Sequence, residues 1–275
     1  MRITITRMVS FLAIAAPLLT PAVALSQMKA GPMDPPPVLL IQREMVKTGM
    51  GPAHAKSEAA WAATFAKAKR PINWLGMNAI SGGPEAWFLS GYPSFAVMEK
   101  DNAEIAANAT LEAESAKNAL VDANYASDPS SLIAVNMAGL TAGPAVDLSK
   151  IRYFNIITVH TRPGHDEDFS KVATMMRDAY AKAKINQSWA VYRVLAGDRD
   201  GTFLVIVPLQ SLATLDHGNS DDAMIGQAMG SDGMAAINKA SADGIISSST
   251  QIMQVSPKLS YVSAAFKAGD PSFWK

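Results

Sequence analysis

The stretch Ala66-Lys67-Ala68-Lys69, Trp74, Gly82, Phe88-Leu89, Pro93 recurs 115 residues later as Ala181-Lys182-Ala183-Lys184, Trp189, Gly197, Phe203-Leu204, Pro208. Sliding Gly49–Asp101 onto Gly164–Asp216 needs no gap and leaves twelve identities, Lys56 with Lys171 among them. Other positions exchange like for like, as Phe65 with Tyr180 and Val97 with Leu212. An internal repeat sets the architecture before local propensity does, because two copies of one unit must fold alike.

Each copy opens on a β-branched and aliphatic run that stops at a Gly turn. Val38–Val46 precedes Thr48-Gly49, and its counterpart Tyr153–Thr161 precedes Pro163-Gly164. Both read as strands. Helices follow over Ala53–Lys69 and Glu167–Lys184. His54, Glu58, Trp61 and Phe65 share one face of the first, and Phe169, Ala173, Met176 and Tyr180 share one face of the second. The 4, 3, 4 steps are those of an amphipathic helix. Asp166 is placed to cap the second.

Hairpins come next. Asn73–Ile80 and Ala86–Tyr92 flank Ser81-Gly82-Gly83-Pro84-Glu85. Ser188–Leu195 and Thr202–Val207 flank Ala196-Gly197-Asp198-Arg199-Asp200-Gly201. Pro93 and Pro208 are expected to end the third strands, since Pro cannot donate to a ladder. A second helical region spans Ser94–Asp122. Its counterpart Ser211–Ala242 is interrupted by Gly218, Gly226, Gly230 and Gly233. Fourth strands are expected near Ser131–Met137 and Thr250–Ser256.

The order in each copy is β-α-β-β-α-β, the ferredoxin-like unit. The fold class is α+β, with two tandem ferredoxin-like repeats packed sheet to sheet as an intrachain α+β barrel. The divisions are 1–26 signal peptide, 27–37 flexible lead-in, 38–138 repeat 1, 139–150 linker, 151–262 repeat 2 and 263–275 tail. Phe273 and Trp274 are expected to bring the tail back onto the body.

Residues 1–26 read as a bacterial-type secretory signal. Arg2 and Arg7 form the positive start, and Met8–Leu19 is shorter than the ~20 residues a membrane span needs. Small-x-small cleavage sites end at Ala24 and at Ser26. A periplasmic or secreted location is expected, with no membrane insertion after cleavage. The chain has no Cys, so lipid anchoring, disulfides and thiol chemistry are excluded. Without Arg2 and Arg7, 22 basic residues face 24 acidic ones, which leaves no basic field for nucleic acid.

A strand ending in a Pro-Gly-like turn, an amphipathic helix, a hairpin, and then Tyr92-Pro93 or Val207-Pro208 leading into a second helical region resembles the dimeric α+β barrel superfamily. That group includes antibiotic-biosynthesis monooxygenase-like and NIPSNAP-like proteins. Pro257-Lys258-Leu259-Ser260-Tyr261 is similar to tail pieces of such chains. The resemblance implies the barrel. It spans cofactor-free oxygenases, haem enzymes, isomerases and proteins of other roles, so it does not select an activity.

No dinucleotide, P-loop, zincin or nucleophile-elbow motif is present. The histidines His54, His160, His165 and His217 are scattered, so no metal and no cofactor is expected. The 15 Met residues are dispersed as gap-fillers. His54 stands where copy two has Phe169, a packing position. His165 and His217 fall in turn-like surroundings and are expected to be exposed. His160 stands where copy one has Met45, and reads as a general base or orienting donor, or as a core or rim His. Arg193 stands where copy one has Asn78, on a strand with Trp189. It either lines a pocket or pairs with Glu44 or Asp200 as structural support. Arg43 and Glu44 are polar within an aliphatic run and point to opposite faces.

The expected site is an apolar pocket between the sheets lined by Trp74, Asn78, His160, Trp189 and Arg193. Two function classes stay open. One is an exported binding protein for a small apolar or aromatic ligand, with room for a homo-oligomer. The other is a cofactor-independent monooxygenase-like or isomerase-like enzyme on an aromatic or polyketide-like compound, using His160 and Arg193 as base and oxyanion stabiliser.

Overall fold

The computed structural model describes Met28–Lys275, so the expected signal segment lies outside the described residues. The chain runs β1 (Pro32–Met33), β2 (Val38–Val46), α1 (Gly51–Lys67), β3 (Trp74–Ala79), β4 (Glu85–Tyr92), α2 (Phe95–Ala106), α3 (Ala109–Asp122) and β5 (Ala126–Asn136). It continues through β6 (Val146–Asp147), a 3₁₀ turn (Leu148–Lys150), β7 (Tyr153–Thr161), α4 (Asp166–Ala183), β8 (Ala190–Ala196) and β9 (Thr202–Leu209). A second 3₁₀ turn (Leu212–His217), α5 (Gly218–Gly244), β10 (Ile245–Val255) and α6 (Ala264–Lys267) complete it.

The repeat is realised in space. The first half orders its strands β5-β2-β4-β3 and the second β10-β7-β9-β8, the same sequence of places in each. The halves then exchange edges. The fourth strand of each pairs with the second strand of the other, β5 with β8 and β10 with β3, and an eight-stranded antiparallel barrel closes. Closure leaves no open sheet edge.

Alternation along the strands sorts side chains into two sets. Leu39, Ile41, Met77, Trp87, Leu132, Ile156, Leu204 and Met253 belong to one buried cluster that fills the barrel interior. The opposite face lies under the helices. Phe169, Ala173 and Tyr180 of α4 meet Val159, Val191 and Phe203 there, and Val97 and Met98 of α2 meet Val38 and Tyr92. Both faces are covered, which is why strands such as Val38-Leu39-Leu40-Ile41 read as continuous apolar runs.

Several local expectations are corrected. The lead-in is tied down: Pro32 and Met33 pair with Asp147 and Val146, inside the stretch expected to be a linker. Pro93 does end β4, but Pro208 lies within β9, opposite Phe154. It sits beyond the last β8–β9 rung, Ala190 with Ile206, so no neighbour on that flank needs its missing N–H. Asp166 is the first residue of α4 rather than its cap. Its carboxylate accepts from Thr161 Oγ1 at 2.7 Å. The Ser94–Asp122 region is two helices, divided where the Asn108 side chain accepts from Leu111 N. In copy two, α5 kinks at Gly230, whose φ of 70° and ψ of 177° break the helical path. The tail does return: Trp274 is buried, and its indole N–H donates to Ser149 O at 2.8 Å.

Candidate functional site

Two cavities carry features that plain packing does not explain. The first is at one mouth of the barrel, between the two halves. It has a volume of about 430 Å³ and is walled by Leu39, Leu75, Leu89, Phe154, Tyr192 and Ile206. Pro35–Pro37 and Thr141–Val146 close over it. The short β1–β6 ladder joins these two covering segments, so the lead-in has a structural task there. Tyr192 donates its hydroxyl to Pro36 O at 3.1 Å, and burial raises its pKa well above the usual phenol range. Asn73 also lines the mouth. It is buried, and its amide oxygen has no hydrogen-bond partner.

The second cavity, about 710 Å³, lies outside the barrel between the first half-sheet and α1–α3. Trp61, Phe65, Trp74 and Phe88 give it aromatic walls. Phe65 meets Trp74 edge-on at 5.2 Å. At one side Arg70 pairs with Asp101, and with Glu104 at 3.0 Å, while Tyr92 donates to Asp101 at 3.2 Å.

The other side of this cavity holds a polar cluster. Glu44 comes from β2, His54 and Glu58 from successive turns of α1, and Asp122 from the end of α3. His54 Nε2 contacts Glu44 and stands 3.8 Å from Glu58 Oε1 and 4.0 Å from Asp122 Oδ1. One ligand atom from each of the four can be chosen so that all lie within 4.8 Å of one another. Burial, then the charges of Glu44 and Asp122, push the Glu58 carboxyl up to about 9. Burial and Glu44 push Asp122 up to about 6.

The five residues expected to line a pocket between the sheets are not brought together. Trp74 and Trp189 lie on the helix-covered face. Trp74 donates its indole N–H to Leu259 O at 2.8 Å, and Trp189 packs edge-on against Tyr180 at 4.9 Å. Asn78 is on the Trp74 face of β3, opposite Ala86 and Gln254. Arg193 is on the outside, half exposed, and pairs with Asp166 at 3.1 Å rather than with Glu44 or Asp200. His160 faces inward at the barrel end opposite the mouth cavity, 3.1 Å from Ser247 Oγ and 3.8 Å from Asp198. Of the five, only Trp189 borders the mouth cavity. Alternation could not tell inside from outside, because both strand faces are apolar.

The sequence reading treated His54 as a packing residue, offered Glu44 only as a structural partner of Arg193, and gave Glu58 and Asp122 no chemical role. One signal was present. Glu44 aligns with Val159, His54 with Phe169 and Glu58 with Ala173, so copy one is polar three times where copy two is apolar.

No family model matches the chain, and no curated protein matches it. Solved structures do. The "Putative monooxygenase" of Fusobacterium nucleatum is 9% identical with a TM-score of 0.55, covering 81% of this chain and 94% of that one. A variant chlorite dismutase of Candidatus Nitrospira defluvii is 10% identical with a TM-score of 0.50, covering 88% and 98%. At such identities the likeness concerns the fold, and the closed barrel of paired ferredoxin-like halves agrees with it: this chain has the dimeric α+β barrel fold, with both halves in one polypeptide.

Proposed function

We propose that this protein is an exported binding protein for a small apolar or aromatic molecule held in the mouth cavity between the two halves of the barrel. The observation that carries the reading is that cavity. Its volume of about 430 Å³ falls within the ~300–1,000 Å³ of small-molecule sites, and its walls are mostly aliphatic and aromatic. Asn73 adds a polar side chain to that mostly apolar lining. Export is supported by the Arg2/Arg7 start, the short apolar run and the small-residue cleavage sites. Among the described residues, no helix is long and apolar enough to cross a membrane.

Titration with an apolar fluorophore tests the reading. Wild-type protein takes up one probe per chain. Ala190→Trp, which places an indole in the mouth, weakens uptake at least tenfold without lowering the unfolding midpoint. Equal uptake by the two proteins refutes it.

A second reading, a monooxygenase-like or isomerase-like enzyme on an aromatic compound, is favoured by the larger cavity, where aromatic walls meet the Glu44–His54 pair. It predicts that His54→Phe abolishes turnover of an aromatic substrate and leaves probe uptake at the mouth intact. Turnover that survives His54→Phe removes this reading.

A further inference from the structure

Three observations converge on the polar cluster beneath α1. The first is its donor set. Three carboxylates and one imidazole converge, and among the described residues no Lys or Arg nitrogen lies within 4.0 Å of Glu44, Glu58 or Asp122. Three carboxyls therefore face a single imidazole in a buried place, where ionising all of them costs stability unless a cation compensates the charge.

The second is an orphaned atom. Asp122 is only 8% exposed, and its Oδ1 has no hydrogen-bond partner although it points at His54 from 4.0 Å. A buried carboxylate oxygen aimed into a cluster and left unpaired calls for a partner there, such as an ion.

The third comes from the repeat. In copy two the positions of Glu44, His54 and Glu58 hold Val159, Phe169 and Ala173, which pack with Phe203 as part of an apolar cluster. Phe203 pairs across the sheet with Val159, and at the matching place in copy one Glu44 pairs with Ala86, also apolar. The same helix on the same sheet therefore packs with apolar residues at these three places. Packing gives no reason for Glu, His and Glu.

We propose that Glu44, His54, Glu58 and Asp122 form a binding site for one divalent first-row transition-metal ion such as Mn²⁺, Fe²⁺ or Zn²⁺. Donor atoms around such an ion lie ~2.0–2.2 Å from it, and hence roughly 3–4 Å from one another. The His54–Glu58 and His54–Asp122 separations of 3.8 and 4.0 Å match that spacing, and the direct His54–Glu44 contact opens to admit the ion. The imidazole argues against Mg²⁺ and Ca²⁺, which take oxygen ligands, and the absence of thiolates argues against Cu⁺. His54 approaches from behind, while the three carboxylates line the 710 Å³ cavity, so the remaining coordination positions open toward it. The site is separate from the mouth cavity and does not depend on the ligand proposed there.

The test uses the full mature chain, stripped with a chelator and dialysed free of it. Mn²⁺ is titrated with free ion counted by its electron paramagnetic resonance signal, and Zn²⁺ is titrated by calorimetry. One ion per chain is expected for at least one metal, with a rise in melting temperature that grows with its concentration. Glu58→Gln and Asp122→Asn keep shape while removing a charge, and each should weaken binding at least tenfold. The triple variant Glu44→Val/His54→Phe/Glu58→Ala installs the copy-two residues and should take up no ion. If the triple variant does not fold, the two isosteric variants carry the test. Binding of neither metal to the wild type, or wild-type affinity in the isosteric variants, overturns the proposal.

Discussion

The two hairpin glycines offer a paired perturbation that reads the joints between the halves. Gly82 and Gly197 are equivalent in the repeat, with φ of +80° and +94°, so an alanine at either must adopt the left-handed region. That strain costs ~1–2 kcal/mol. Their surroundings differ. A Cβ on Gly82 meets the amide end of Gln251 at 3.2 Å, a flexible side chain of β10 that can swing away. A Cβ on Gly197 falls well inside contact distance of the Ser131 carbonyl oxygen and 2.9 Å from its carbonyl carbon. These are backbone atoms of β5, the strand that joins the first half to β8. They cannot move without disturbing that ladder, which adds ~1–3 kcal/mol of overpacking. Gly82→Ala should therefore cost ~1–2 kcal/mol and Gly197→Ala ~2–5 kcal/mol. Urea unfolding followed by tryptophan fluorescence, with m unchanged, measures both. Equal costs for the two variants would refute the close β5–β8 joint.

Other consequences follow from the same geometry. Asp101→Asn removes the carboxylate that pairs with buried Arg70 and accepts from Tyr92, and should cost ~3–5 kcal/mol in denaturant unfolding, because Arg70 keeps a buried charge. A loss under ~1 kcal/mol would mean that Glu104 or water compensates fully. Arg193→Met breaks a half-exposed pair with Asp166 and should change stability by less than ~1 kcal/mol, with probe uptake unaltered; a clear fall in uptake would return Arg193 to the site. N-terminal sequencing of exported material should begin at Leu25 or Gln27, and an intact Met1 in a membrane fraction would contradict export.

The fold was legible because the repeat was. The 115-residue spacing maps β2 onto β7 without a shift and places α1 on α4. The third and fourth strands depart from it: β4 and β9 are 117 residues apart and β5 and β10 119, since the hairpin of copy two and its helical region of 3₁₀ turn and glycine-broken α5 each hold a longer path than their counterparts. The facing of the strands was not legible. Trp74 and Trp189 are as apolar as the interior residues Leu75 and Leu39, and nothing in a two-sided apolar strand says which side meets a helix. The mouth cavity was hidden for a related reason. Its cover comes from Pro35–Pro37 and Thr141–Val146, segments whose composition reads as connection. The His54 cluster was half visible: Glu58 lies one turn from His54 on the same face, but Glu44 and Asp122 reach it through tertiary folding alone.

Native mass spectrometry of the mature protein, purified from the compartment to which it is exported, tests the central claim most directly. The wild type should carry one small organic adduct that denaturation releases, and Ala190→Trp, purified in parallel, should be bare. Bare wild-type protein, or the same adduct on both, would contradict a ligand held in the mouth of the barrel.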